Sequence, residues 1–109
     1  MIVRSWTGYA SLPRAADYPN HLLDSVRPRL KALPGFQGLY LLRRMREHEV
    51  EYRVLTLWSS MEAIGAFAGP TPERAVVEPE AQAVLTRYDA HVEHFEVLAA
   101  PDANSVGSA

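Results

Sequence analysis

The chemistry open to this chain rests on His, Arg, Tyr and carboxylate side chains, because it contains no Cys. Thiolate nucleophiles, thiolate metal sites and disulfides are excluded at once. His94 is the candidate general base, since an imidazole titrates near neutral pH. Arg4 is the candidate to hold an oxyanion. Trp6 and Trp58 can stack on a flat ligand, Tyr40 and Tyr52 can donate hydrogen bonds to it, and Thr56 adds one more polar group. A base, a fixed cation and a dry aromatic enclosure suit removal of a proton from a phenol or a similarly acidic carbon, with the anion held in place. Arg4 and Glu96 can equally satisfy each other across neighbouring strands, and the aromatics can equally fill a core.

Other chemical signals are weaker. His91-x-x-His94, with Glu93 and Glu96, has metal-like spacing. On a strand, however, residues three apart point to opposite faces, so no metal site is expected. Arg43-Arg44-x-Arg46 sits beside Glu47 and Glu49 and reads as a solvated, charge-balanced turn. His21 falls in a helix pattern and His48 in a turn, and both are expected to be exposed. There is no Gly-rich phosphate loop and no Ser/His/Asp arrangement.

These residues are positioned by four strands and three helices. Residues 2–9 alternate and are rich in β-branched and aromatic types, which reads as a strand. Residues 18–33 carry an apolar stripe at Tyr18, Leu22, Val26, Leu30 and Leu33, a helix with Asp17 as its N-cap. Pro28 lies inside it and removes the bond to the Asp24 carbonyl, so a bend is expected there. Pro34-Gly35 ends it. Residues 36–45 and 51–58 read as two strands of a hairpin. Ser59-Ser60-Met61-Glu62 reads as a capping box with Ser59 at the N-cap. A second helix follows and stops at Gly69-Pro70. Residues 71–77 form a short turn, Glu78-Pro79 restarts a helix through Tyr88, and residues 91–98 are the last strand.

The order β-α-β-β-α-β, with an extra helical turn or two before the last strand, is the ferredoxin-like plan, an α+β fold with a four-stranded antiparallel sheet and helices on one face. Alternation splits each strand between two faces. The aliphatic set, Val3, Leu39, Leu41, Leu55, Leu57, Phe95 and Val97, is expected under the helices. The other set holds Arg4, Trp6, Tyr40, Tyr52, Thr56, Trp58 and His94 and is expected on the open face. Such a face is too apolar for water and asks for a second copy, so a homodimer through the open face is expected, with a small-molecule pocket in or beside it.

Length and composition bound the rest. At 109 residues and 48% hydrophobic content the chain is one domain. Residues 1–98 are expected to form it, and residues 99–109, which lack periodicity, to be a disordered C-terminal tail. Lys and Arg number 11 against 13 Asp and Glu, a net charge of −2, which argues against nucleic acid as partner. No apolar run approaches the ~20 residues of a membrane helix. The lack of Cys fits a cytoplasmic protein.

Several stretches resemble the antibiotic biosynthesis monooxygenase family. They are Met1-Ile2-Val3-Arg4, Pro34-Gly35-Phe36 with Gly38-Leu39-Tyr40-Leu41-Leu42-Arg43-Arg44, and Leu55-Thr56-Leu57-Trp58-Ser59-Ser60-Met61-Glu62-Ala63-Ile64. Phe67-Ala68-Gly69, Glu78-Pro79-Glu80 and Val92-Glu93-His94-Phe95-Glu96-Val97 fit as well. The resemblance spans residues 1 to about 98 and implies a dimeric α+β barrel. It also implies oxygenation of aromatic polyketides without a cofactor, or degradation of heme. Heme-degrading relatives carry an iron-ligating His after the second helix. The matching stretch here is Arg74-Ala75-Val76-Val77, without a His, so no cofactor is expected.

The expected function is therefore a small cofactor-independent monooxygenase-like enzyme acting on an aromatic or polyketide-like molecule. Its catalytic residues are His94 and Arg4, and Trp6, Tyr40, Tyr52, Thr56 and Trp58 bind substrate. The alternatives are a non-catalytic dimeric barrel that binds a small hydrophobic ligand, or an isomerase or cyclase using the same pocket.

Overall fold

A computed structural model describes residues 1–101. Of the tail expected from the sequence, residues 102–109 lie outside the described residues. Five strands form one antiparallel sheet: β1 (Ile2–Ser11), β2 (Phe36–Met45), β3 (Glu49–Trp58), β4 (Arg87–Tyr88) and β5 (Glu93–Glu96). β3 lies between β2 and β1, and both short strands pair with the other edge of β1. β5 pairs with Ile2 to Ser5 and β4 with Gly8 and Tyr9. This is the expected ferredoxin-like order, with the last strand in two pieces rather than one run over residues 91–98. Among the described residues no helix is long and apolar enough to cross a membrane.

The helices cover one face. α1 (Asp17–His21), a π-helical segment (Leu22–Val26) and α2 (Arg27–Lys31) follow one another without a break. The wide turn has a physical cause. Pro28 has no N–H for Asp24, and the Arg27 N–H bonds instead to the Leu22 carbonyl, five residues back. The bend expected at Pro28 is thus taken up as a π turn just before it. α3 (Met61–Ala68) starts at Ser60, whose hydroxyl accepts from the Ala63 N–H at 3.1 Å. The cap is therefore Ser60, one residue later than expected, and Ser59 instead donates its N–H to the Gly35 carbonyl at 2.8 Å. α4 (Pro79–Val84) is shorter than expected, since Tyr88 belongs to β4.

The face assignment needs a correction. The helices cover Ile2, Arg4 and Trp6 of β1 and the even residues Val50 to Trp58 of β3, with Leu39 and Leu41 of β2. Arg4, Trp6, Tyr52, Thr56, Trp58 and His94 therefore lie under the helices, not on the open face. Leu55, Leu57, Val3 and Phe95 take the open side. Tyr40 is on the open face as expected, 54% exposed. A bulge explains the split. Phe36 pairs with Trp58, but Gly38 pairs with Leu57, so one extra residue switches the parity of β2. Leu39, not Tyr40, then sits opposite Thr56.

Large rings do the filling that aliphatics were expected to do. Trp58 is fully buried, stacked on Phe67 at 5.4 Å and edge-on to Phe36 at 5.3 Å. Tyr52 meets Tyr18 at 5.5 Å and donates its hydroxyl to the Ala15 carbonyl. Each such ring stabilises the fold by about 1.5–3 kcal/mol through burial.

Candidate functional site

Between the sheet and the helices lies a cavity of about 90 Å³. Arg4 and Trp6 of β1 and Val54 and Thr56 of β3 form its floor. Tyr18 and His21 of α1, with Leu22, Val26 and Leu30, form one wall, and Phe67 of α3 another. Val76, Val77, Glu78, Ala81 and Val92 complete its lining, and one side opens to solvent. The lining is mostly apolar, with a few polar groups that converge.

Arg4 is the dominant charge. It is only 5% exposed. Its guanidinium donates to the carbonyls of Pro72 and Arg74, and through Nη1 to His94 Nε2 at 3.0 Å. Its carbon sits 5.8 Å from the centre of the Phe67 ring. Among the described residues no carboxylate forms an ion pair with it. Glu96 lies beside Ile2 in the register, so the Arg4–Glu96 pairing considered from the sequence does not occur. Burial lowers the Arg4 pKa and Glu73 opposes that shift.

His94 belongs to Arg4. Arg has no acceptor, so Nε2 of His94 must accept the bond and Nδ1 must carry the proton. Burial, and next the Arg4 charge, push the imidazole below its ordinary value, while Glu73 raises it. His94 is neutral near pH 7, but its lone pair faces the guanidinium, and the ring is not among the residues lining the cavity.

Of the expected substrate-binding residues, Trp6 and Thr56 line the cavity. The Trp6 indole donates to the Asp89 carbonyl at 2.8 Å. Gly8 makes room for that ring, since a Cβ there would stand 2.7 Å from it. The Thr56 hydroxyl accepts from the Trp58 indole at 2.9 Å, which leaves its own proton to donate. Trp58 and Tyr52 are packed into the core instead, and Tyr40 is on the far side of the sheet.

Two lining residues escaped the sequence reading. Burial pushes the Tyr18 phenol up, so it stays protonated as a donor. His21, expected to be exposed, is half-buried, and its Nε2 is shut off from solvent without a hydrogen-bond partner. The signal was present: His21 is three residues after Tyr18, on the flank of the apolar stripe. His21, Glu78 and Glu80 offer ligand atoms within 4.8 Å of one another. Both Glu78 oxygens are already held by Arg29, at 2.6 and 2.7 Å, which makes this an ion pair between α2 and the start of α4.

No protein-family model matches the chain, and no curated protein matches its sequence. Solved structures do match. The heme-degrader MhuD from Mycobacterium tuberculosis, with two hemes bound in its active site, is 25% identical with a TM-score of 0.60, over 94% of this chain and 100% of that one. A candidate antibiotic biosynthesis monooxygenase from Deinococcus radiodurans is 14% identical with a TM-score of 0.60, over 94% and 97%. SnoaB, a cofactor-independent oxygenase from Streptomyces nogalater, is 20% identical with a TM-score of 0.54, over 94% and 96%. The single chain has the ferredoxin-like α+β fold of these structures, among them members of the antibiotic biosynthesis monooxygenase family. A porphyrin does not fit the cavity described here. Its volume is well below the ~300 Å³ at which sites for drug-sized ligands begin, and Val76 and Val77 bring no ligand atom to it, which leaves His21 as the one imidazole of the lining.

Proposed function

We propose that this chain, built on the fold of the antibiotic biosynthesis monooxygenases, is a small cofactor-independent monooxygenase-like enzyme. Its substrate is an aromatic or polyketide-like molecule, and the site is the cavity between sheet and helices rather than the open face. The volume favours the smallest such molecules, about one ring across. Arg4 carries this reading: a guanidinium buried beside an aromatic cavity, with no carboxylate of its own, is poised for an anion that arrives with the ligand. Trp6 and Phe67 contact the ring and Thr56 donates to it. His94 holds the guanidinium through Nε2. The functional unit is a homodimer joined through the open sheet face.

The chemistry balances without an outside reductant. Loss of a proton from an activated CH₂, or from the hydroxyl of its enol tautomer, gives the same anion, which passes electrons to O₂. The carbon ends as a carbonyl with one oxygen atom, and the other oxygen leaves as water with the two hydrogens. The protein holds the anion and excludes bulk water.

A thermal-shift screen with aromatic polyketides, simple phenols and heme identifies ligands, and oxygen uptake on each hit tests the reaction. Arg4→Met is expected to lower turnover by roughly 10²–10³-fold, the usual loss for a preorganised oxyanion contact. Ligands that stabilise the protein without oxygen uptake would sink the oxygenase reading. They would favour a non-catalytic ligand-binding barrel, to which the engagement of His94 by Arg4 lends weight.

A further inference from the structure

Among the described residues, His21 Nε2 is the one side-chain nitrogen or oxygen that is shut off from water with no hydrogen-bond partner. A polar atom left so is costly, and such atoms in native proteins call for an explanation. The ring lines the cavity that also holds Arg4, with Nε2 itself turned away from the water-accessible space, so a ligand reaches that nitrogen when the ring turns about its Cβ–Cγ bond. It sits where α1 gives way to the π-helical segment, a widening of the kind found at functional sites. The other imidazole near Arg4 has its lone pair taken.

We propose that His21 receives the acidic hydroxyl of the substrate, a small hydroxylated aromatic, accepting its hydrogen bond at Nε2 and then its proton. The substrate O–H bond breaks and an N–H bond forms on His21. The electron pair stays on the substrate oxygen, whose negative charge Arg4 stabilises. Nothing is oxidised or reduced in this step. It rests on the cavity being the substrate site, as read above, but not on what the anion does next.

The probe is 4-nitrophenol, whose phenolate is coloured and whose electron-poor ring keeps binding apart from oxygenation. Titrated into the full chain just below the probe's own pKa, wild-type protein is expected to bind it saturably with the phenolate spectrum. His21→Phe keeps the ring's shape and removes the acceptor. It is expected to bind at least tenfold more weakly and to lose the phenolate signal, while the ligand-free protein melts no lower than wild type, because the unpaired nitrogen is gone. His21→Gln keeps a polar end and recovers part of the affinity without the proton transfer. His94→Gln weakens binding through Arg4, yet the bound probe stays phenolate. The assignment is overturned if wild type does not bind the probe, if His21→Phe retains the phenolate spectrum at wild-type affinity, or if His94→Gln abolishes that spectrum and His21→Phe does not. Phenolate binding with no oxygen uptake on any screen hit would sink the oxygenase reading and leave His21 standing. Oxygen uptake that is unchanged in His21→Phe would do the reverse.

Discussion

Arg4 is tolerated inside the protein because its N–H groups meet two carbonyls, an imidazole and the face of Phe67. His94 completes that set only while it is neutral. Protonated, it would lose its lone pair and face a second positive charge. Its folded pKa is lowered, by burial and by Arg4. In the unfolded chain it protonates near pH 6.5. Between those two values the unfolded state binds more protons, so stability rises with pH through that window. The stabilising contribution is complete above about pH 6.5 and is lost as pH falls toward the folded value. His94→Gln is expected to flatten this part of the profile, by at most about 1.4 kcal/mol per pH unit. Urea melts of wild type and variant at pH 7.5 and pH 5 read it directly, since His21, His48 and His91 are common to both. Parallel profiles would show that Arg4 does not depend on a neutral His94.

Elements set that arrangement through a few close approaches. Gly35 has φ +85°, and a Cβ there would stand 2.5 Å from the Ala63 Cβ and 2.7 Å from the Ser59 Oγ. The turn after α2 is thereby locked to the start of α3. Gly35→Ala is expected to cost about 2–4 kcal/mol, from the left-handed backbone and the overpacking together, seen as a lower urea midpoint. Gly38→Ala meets no neighbour within 4 Å and adds backbone strain alone, so it should cost less. Equal losses would show that the Ala63 contact yields easily. Such contacts mark what the sequence could and could not tell. The long strands and the Pro34-Gly35 stop were legible, because alternation and turn chemistry are local. Which face of the sheet meets the helices was not, since alternation defines two faces without ranking them. The bulge after Phe36 then moved Tyr40 away from Thr56. His21 was passed over for a related reason: on a helix flank, only the packing of α4 and the loop before it decides between water and cavity.

At the scale of the whole molecule, the open face still lacks a cover, although its residues are not those first expected. Val3, Leu55 and Leu57 lie there half-buried, with Phe95 53% exposed and Tyr40 and Leu42 exposed beside them. The other end of the same face is polar. Glu51 is buried between Arg44 and Arg46, and Arg87 bonds Glu49 while resting on the Tyr9 ring at 3.5 Å. An apolar area with a satisfied charged border is what a self-associating surface needs, since the charges keep water and only the centre is desolvated. Val3, Leu55, Leu57 and Phe95 are thus left for association, while Trp6, Tyr52, Thr56 and Trp58, under the helices with Leu39 and Leu41, build the core and the cavity. Leu57→Asp with Phe95→Asp places two carboxylates at the centre of that area and leaves Arg4, His21 and the cavity lining untouched. Wild type is expected to sediment at twice the chain mass, and the double variant at the mass of one chain. The variant should still bind 4-nitrophenol, because every group assigned to the site belongs to one chain. A wild type that sediments as a single chain would remove the dimer. A monomeric variant that no longer binds would instead show that the second copy holds the helices over the cavity.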